Sequence, residues 1–160
     1  MKITKAKLSD LDEVVSIYHQ ARAFMAANGN AKQWGNNYPP AALIEQDIAS
    51  GHCYVCVEEQ QIIGTFYFAI EEEPTYRIIE DGAWLNDRPY GVLHRVAVRT
   101  GKRGVASHCI NWCYDIAGNM RIDTHADNVP MRRVLSKLGF QYCGVIYVRD
   151  GSPRLAFQKC

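Results

Sequence analysis

The chain has 160 residues, 48% hydrophobic and 22% charged, with 18 Lys and Arg against 17 Asp and Glu for a net charge of +1. That length supports one core burying roughly two thirds of the unfolded surface, so no metal or disulfide staple is required, and the composition excludes extended disorder. Near-neutral charge excludes a global field for nucleic acid or a membrane surface, so any basic function is local.

The N-terminus, "MKITKAKLSDLDEVV", lacks the apolar run of a secretory signal, and no segment approaches the roughly 20 apolar residues of a membrane span, so the chain is read as a single cytoplasmic domain over 1–160. A strand is expected at 2–7, then a helix from Ser9 to Ala27, with Ser9 as cap and Asp12 three residues on. Leu11, Val14, Val15, Tyr18, Ala21, Phe24 and Met25 give that helix its buried period. "NGNAKQWGNNYPP" breaks it, and a short helix restarts after Pro40 and runs to Ala49. Strands at 52–59 and 62–71 follow, joined by a turn at Gln60 and Gln61, and 72–89 reads as an irregular connection.

Cys53 and Cys56 sit three apart in a strand and so face opposite ways, while Cys109 and Cys113 share a helical stripe. All four read as core thiols, and nothing reads as a metal site. The remaining elements are a strand at 92–98, a helix at 105–117, a strand at 120–124, a helix at 129–138 and two closing strands. The Glu71–Glu73 run reads as a solvated turn. The whole is an α+β fold with helices covering a sheet.

Between the strand at 92–98 and the helix at 105–117 lies "RTGKRG", a basic, glycine-bearing turn without an acid. A helix opening there offers unpaired N–H groups and the positive end of its dipole. Gly101 and Gly104, with the small Ala106, admit a close anion, and Arg99, Lys102 and Arg103 add charge; a diphosphate suits this description. The pattern is neither a Walker loop nor G-x-G-x-x-G. No stacking aromatics flank it, which disfavours nucleic acid.

"VAVRTGKRGVAS" resembles the GCN5-related N-acetyltransferase (GNAT) motif of an apolar strand, an Arg/Gln-x-x-Gly-x-Gly/Ala turn and a helix, with Gly104 and Ala106 at the last two small positions and Gly101 where Arg or Gln is usual. "DTHADNVPMRRVLSKLGFQYCGVIY" resembles the same family's strand, Asn-capped helix and Lys-x-Gly-Phe end, so the likeness spans residues 2–158. It implies a layered α/β/α fold: a mixed, mostly antiparallel sheet of about seven strands, about four helices, and a V-shaped splay between the strands at 92–98 and 120–124.

The resemblance further implies acetyl-CoA in that splay as cosubstrate. Its diphosphate would lie on Gly101, Lys102, Arg103, Gly104, Val105, Ala106 and Ser107, and its pantetheine along Val96, Ala97 and Val98, with Asn128 beside it. An amine then attacks the thioester directly, and a backbone N–H near Val98 receives the oxyanion. An alkylammonium pKa of about 10.4 calls for a base, and His94 is favoured. It is expected on the strand face of Val96 and Val98, in "LHRVAV", which resembles the histidine-bearing strand of arylalkylamine acetyltransferases. His125 reads instead as a turn and cap residue. Leu135 stands where many members carry an acidic tyrosine, leaving Tyr142, Tyr147 or solvent to protonate the thiolate.

Trp34, Tyr38 and Trp84, with Glu80 and Asp81, suggest aromatic walls and carboxylates for a small-molecule amine. A peptide N-terminus or lysine is the alternative acceptor, and a noncatalytic acyl-CoA-binding module the alternative class. The resemblance is compatible with a homodimer, although no heptad or long apolar stripe calls for one.

Overall fold

The computed structural model describes residues 1–160. Seven strands form one sheet: β1 (Lys2–Lys5), β2 (Cys53–Glu58), β3 (Gln61–Ile70), β4 (Gly91–Val98), β5 (Met120–Thr124), β6 (Gln141–Tyr147) and β7 (Pro153–Lys159). Their spatial order is β1-β2-β3-β4-β5-β7-β6, and every neighbouring pair is antiparallel except β4 and β5. Four helices cover it: α1 (Leu11–Ala27), α2 (Ala41–Ala49), α3 (Val105–Ala117) and α4 (Val129–Lys137). None is long and apolar enough to cross a membrane.

Two apolar layers hold the helices on opposite faces. Val14, Ile17, Tyr18 and Ala21 of α1 and Ile44 of α2 pack with Val55, Ile62 and Ala97. On the other face Val105, Cys109, Ile110 and Cys113 of α3, with Leu135 of α4, pack with Phe66, Phe68, Leu93 and Ile122. Cys53 joins the first layer and Cys56 the second, as their spacing in a strand predicts. Phe24, placed inside by periodicity, is exposed, and Ile17 takes the buried position instead.

Three local expectations are corrected. Strand β1 stops at Lys5, and a 3-10 turn at Leu8–Asp10 precedes α1. Ser9 caps nothing; the Asp10 carboxylate accepts the Lys7 N–H at 2.8 Å and fastens the turn. The β2–β3 turn falls on Glu59 and Gln60, which both take the positive φ of a two-residue hairpin loop without the usual Asn or Gly.

Candidate active site

Strands β4 and β5 pair only at Gly91–Met120 and Val92–Arg121, and beyond that point they diverge. The divergence has a local cause. Strand β4 carries a bulge in which Arg95 and Val96 together oppose Phe66 of β3, with Arg95 at a φ of 54°. Arg99 donates its N–H to Ile63 O of β3, so strand alternation turns the Val98 N–H toward the splay. An unpaired edge flanked by two sheet halves is a ready-made track for an amide-bearing chain.

At its far end the track meets α3. Gly104 takes a φ of 72° and is the N-cap. The N–H groups of Val105, Ala106 and Ser107 meet no acceptor in the protein, and the basic turn is exposed. These free donors, with Lys102 and Arg103 beside them, fit a diphosphate. Arg99 does not belong to that set: its Nε donates to Ile62 O at 2.7 Å and its Nη2 meets Glu13 Oε1 at 2.8 Å. Lys102 leans toward Glu58, 3.7 Å away.

The bulge overturns one expectation. Leu93, Val96 and Val98 all pack on the α3 layer, whereas His94 and Ala97 look to the opposite face. His94 therefore does not share a face with Val96 and Val98, because the extra residue inverts the alternation between them. Extending the parallel register by two residues sets His94 opposite Asp123 where the strands part.

Around His94 the side chains form an acidic, aromatic recess. Tyr67 and Tyr76 lie with ring centroids 5.7 and 6.4 Å from the imidazole. Glu73 Oε1 is 3.8 Å from His94 Nε2, so the run at 71–73 is not merely a solvated turn. Tyr76 donates its hydroxyl to Asp123 Oδ2 at 2.6 Å, and Tyr67 donates to Glu71 Oε1 at 2.9 Å. Burial lowers the His94 pKa below its ordinary 6.5; Asp123 pulls it up, Arg95 presses it down, and Glu73 and Glu71 pull it up. Neutral imidazole, the form that accepts a proton, thus persists below pH 6.5. Because the unfolded chain binds that proton more readily, the group's contribution to stability falls as pH drops through about 6.5. Asp123→Asn is expected to shift the acidic limb of kcat/KM to lower pH, read from a pH–rate profile, by removing the strongest upward pull.

Asn128 caps α4: its Oδ1 accepts the Met131 N–H at 3.2 Å while its Nδ2 donates to Gln33 Oε1 at 3.0 Å. Gln33, which sequence reasoning passed over, also accepts from Asn30 at 3.0 Å and from the Thr124 hydroxyl at 3.4 Å. The loop between α1 and α2 is thereby fastened to the β5 side of the splay. On the β4 side Tyr38 of the same loop accepts from Arg95 Nη1 at 3.1 Å, and Trp34 packs between Tyr18 and Tyr38. Asn128→Ala is expected to cost about 1 kcal/mol in a denaturant titration, the usual loss of an N-cap.

The other candidates fall elsewhere. Tyr142 and Tyr147 belong to β6, the outermost strand, which β7 separates from β5. Tyr142 lies edge-on to Phe157, and Tyr147 donates to Glu80 Oε2 at 3.1 Å, an interaction that raises its pKa. The structure thus places neither phenol in contact with His94 or Asp123. Trp84 lies tilted against Tyr76, 5.2 Å between ring centroids, and donates Nε1 to the Tyr76 carbonyl, so it meets the recess only through Tyr76. His125 accepts the Asp127 N–H at 3.0 Å, the turn role expected of it.

The GNAT acetyltransferase family model matches residues 16–140. The chain belongs to the GNAT family. A GNAT family acetyltransferase from Streptococcus agalactiae is 32% identical over 99% of this chain and 94% of that one, with a TM-score of 0.91. A Staphylococcus aureus Mu50 protein assigned as an acetyltransferase is 25% identical over 99% and 98%, at 0.73. The ribosomal-protein-alanine N-acetyltransferase of Brucella melitensis, 17% identical over 99% of both chains at 0.64, shares the fold. No curated protein sequence matches. In this GNAT chain the tyrosine position is occupied by Leu135, 0% exposed in the α3-side core, which leaves the splay without a phenol from α4.

Proposed function

We propose that this GNAT acetyltransferase moves the acetyl group of acetyl-CoA to the primary amine of a small cationic molecule. The observation that carries the reading is the parting of β4 and β5 just past Val92–Arg121, which sets His94 against Asp123 in a recess bearing Glu71 and Glu73. Of the nearby cations, Arg95 is neutralised by Asp47 and Arg77 by Glu72, so the recess has carboxylates to spare for an ammonium.

The amides of Val105, Ala106 and Ser107 hold the diphosphate, and the Val96–Val98 edge and Asn128 receive the pantetheine. His94 takes a proton from the acceptor ammonium, directly or through water, and Asp123 and Glu73 stabilise the imidazolium. The freed amine forms its bond to the thioester carbon, and the Val98 N–H receives the negative oxygen. Collapse breaks the C–S bond, and the former amine nitrogen gives up its second proton to water as the amide forms. The departing thiolate, with a pKa near 8.5 if cysteine-like, takes its proton from solvent, since no tyrosine hydroxyl from α4 or β6 is at hand.

Acceptor charge tests this reading. An alkylamine carrying a second ammonium is expected to have a KM at least tenfold below that of its neutral isostere, a preference that Glu73→Gln reduces. Equal KM values for the two amines would count against a cationic acceptor and favour the peptide alternative.

A further inference from the structure

We propose that Arg95 is a positioning residue for acyl transfer: its buried guanidinium holds the β4 bulge that aims His94 at one face of the splay and the Val96–Val98 edge at the other. The proposal rests on the acetyltransferase reading above and assigns work to a side chain that touches neither reactant.

The backbone of Arg95 sits at a φ of 54°, in the left-handed region that glycine enters freely and arginine does not. A non-glycine residue keeps such a conformation only where its surroundings over-determine it. Here four elements do so. From α1, Tyr18 donates its hydroxyl to the Arg95 carbonyl at 2.7 Å. From α2, the buried Asp47 carboxylate receives Nε at 2.9 Å and Nη2 at 2.8 Å on one oxygen. From the α1–α2 loop, the Tyr38 hydroxyl receives Nη1 at 3.1 Å. From β3, the Tyr67 ring lies under the guanidinium, 4.8 Å to its centroid.

A bulge serving only to bend the strand would be served better by glycine, with no charge to bury. An 11%-exposed arginine side chain instead locks the bulge, through the Tyr38 hydroxyl, to the loop that also carries Trp34 and Gln33. Through Gln33 that loop reaches Asn128 on the other arm. The guanidinium thus ties the position of the base and the N–H edge to the roof over the splay. The free amides at Val105–Ser107 lie outside this clamp, so its loss costs acyl transfer more than acetyl-CoA binding, of which only the contacts along Val96–Val98 depend on the bulge.

The test compares the wild type with Arg95→Gly, which suits the backbone while removing the clamp, and with Asp47→Asn, which keeps the shape of the partner and removes its charge. In each, kcat, KM for both substrates and the calorimetric affinity for acetyl-CoA are measured, with thermal unfolding as a control. The expected result is a fall in kcat of at least tenfold that exceeds the accompanying loss of acetyl-CoA affinity at least threefold; a displacement of about 1 Å at a reacting group has that scale of consequence. Arg95→Lys, which restores a cation without the fork, is expected to recover part of the loss. A kcat loss below tenfold, or a parallel loss of affinity and kcat in both variants, overturns the proposal; should Arg95→Gly fail to fold, Asp47→Asn alone decides. A wild type that transfers no acetyl group contradicts the acetyltransferase reading instead. The clamp is then judged by amide exchange at Val96–Val98, faster in Arg95→Gly if it holds the bulge and unchanged if it does not.

Discussion

Replacing His94 by alanine is expected to lower kcat about 100- to 10,000-fold, the range a positioned general base contributes, while acetyl-CoA affinity read by calorimetry stays at the wild-type value. The two halves of that result have separate physical origins. His94 lies where β4 and β5 part, among Asp123, Glu73 and Tyr76, whereas the free amides that fit the diphosphate are at the start of α3. Its lowered pKa keeps the ring ready to accept a proton through neutral pH, and the flanking carboxylates offset the cost of charging it in a buried place. Unchanged turnover in His94→Ala would remove the imidazole from the mechanism.

Ala106→Glu is expected to weaken acetyl-CoA binding at least 100-fold, about 2.7 kcal/mol, and to leave the fold as stable as wild type or slightly more so. The opposite signs come from one cause. Ala106 is in the first turn of α3, where three N–H groups are unpaired and the dipole is positive. A carboxylate there satisfies the helix end, contributing about 0.3–1 kcal/mol, and repels the diphosphate that the same amides would receive. Calorimetric titration with acetyl-CoA and a denaturant midpoint check the two halves. As a control, an acetyl thioester lacking the nucleotide should be used equally well by the variant and the wild type.

Much of this architecture was legible in the chain. The likeness of "VAVRTGKRGVAS" and "NVPMRRVLSKLGF" to GNAT motifs implied the seven-stranded sheet, the four helices and the β4–β5 splay, while Gly104 and Asn128 themselves mark only the entrances of α3 and α4. The bulge left none. Arg95 carries no glycine or proline signal, so period-two reading put His94 on the wrong face. Asp123 and Tyr76 were missed for a different reason: their meeting with His94 depends on the β4–β5 register and on the fold of the 72–89 connection, both long-range. Strand order likewise removed Tyr142 and Tyr147, since β7 inserts between β5 and β6 and carries the phenols outward. The run Glu71–Glu73 looked like a solvated turn because charge patterning does not say which carboxylate a buried imidazole will find.

The most direct test of the central claim is chromatographic detection of free CoA from acetyl-CoA, with a panel of aromatic amines, polyamines, amino acids and short peptides. Chromatography avoids thiol dyes, which the chain's six cysteines would confuse. Amine-dependent release above the acceptor-free blank is expected, greatest with small cationic amines and at least 100-fold slower in His94→Ala. Absence of release with every acceptor in the panel, alongside intact calorimetric binding of acetyl-CoA, would contradict it and favour a cofactor-binding site without acyl transfer.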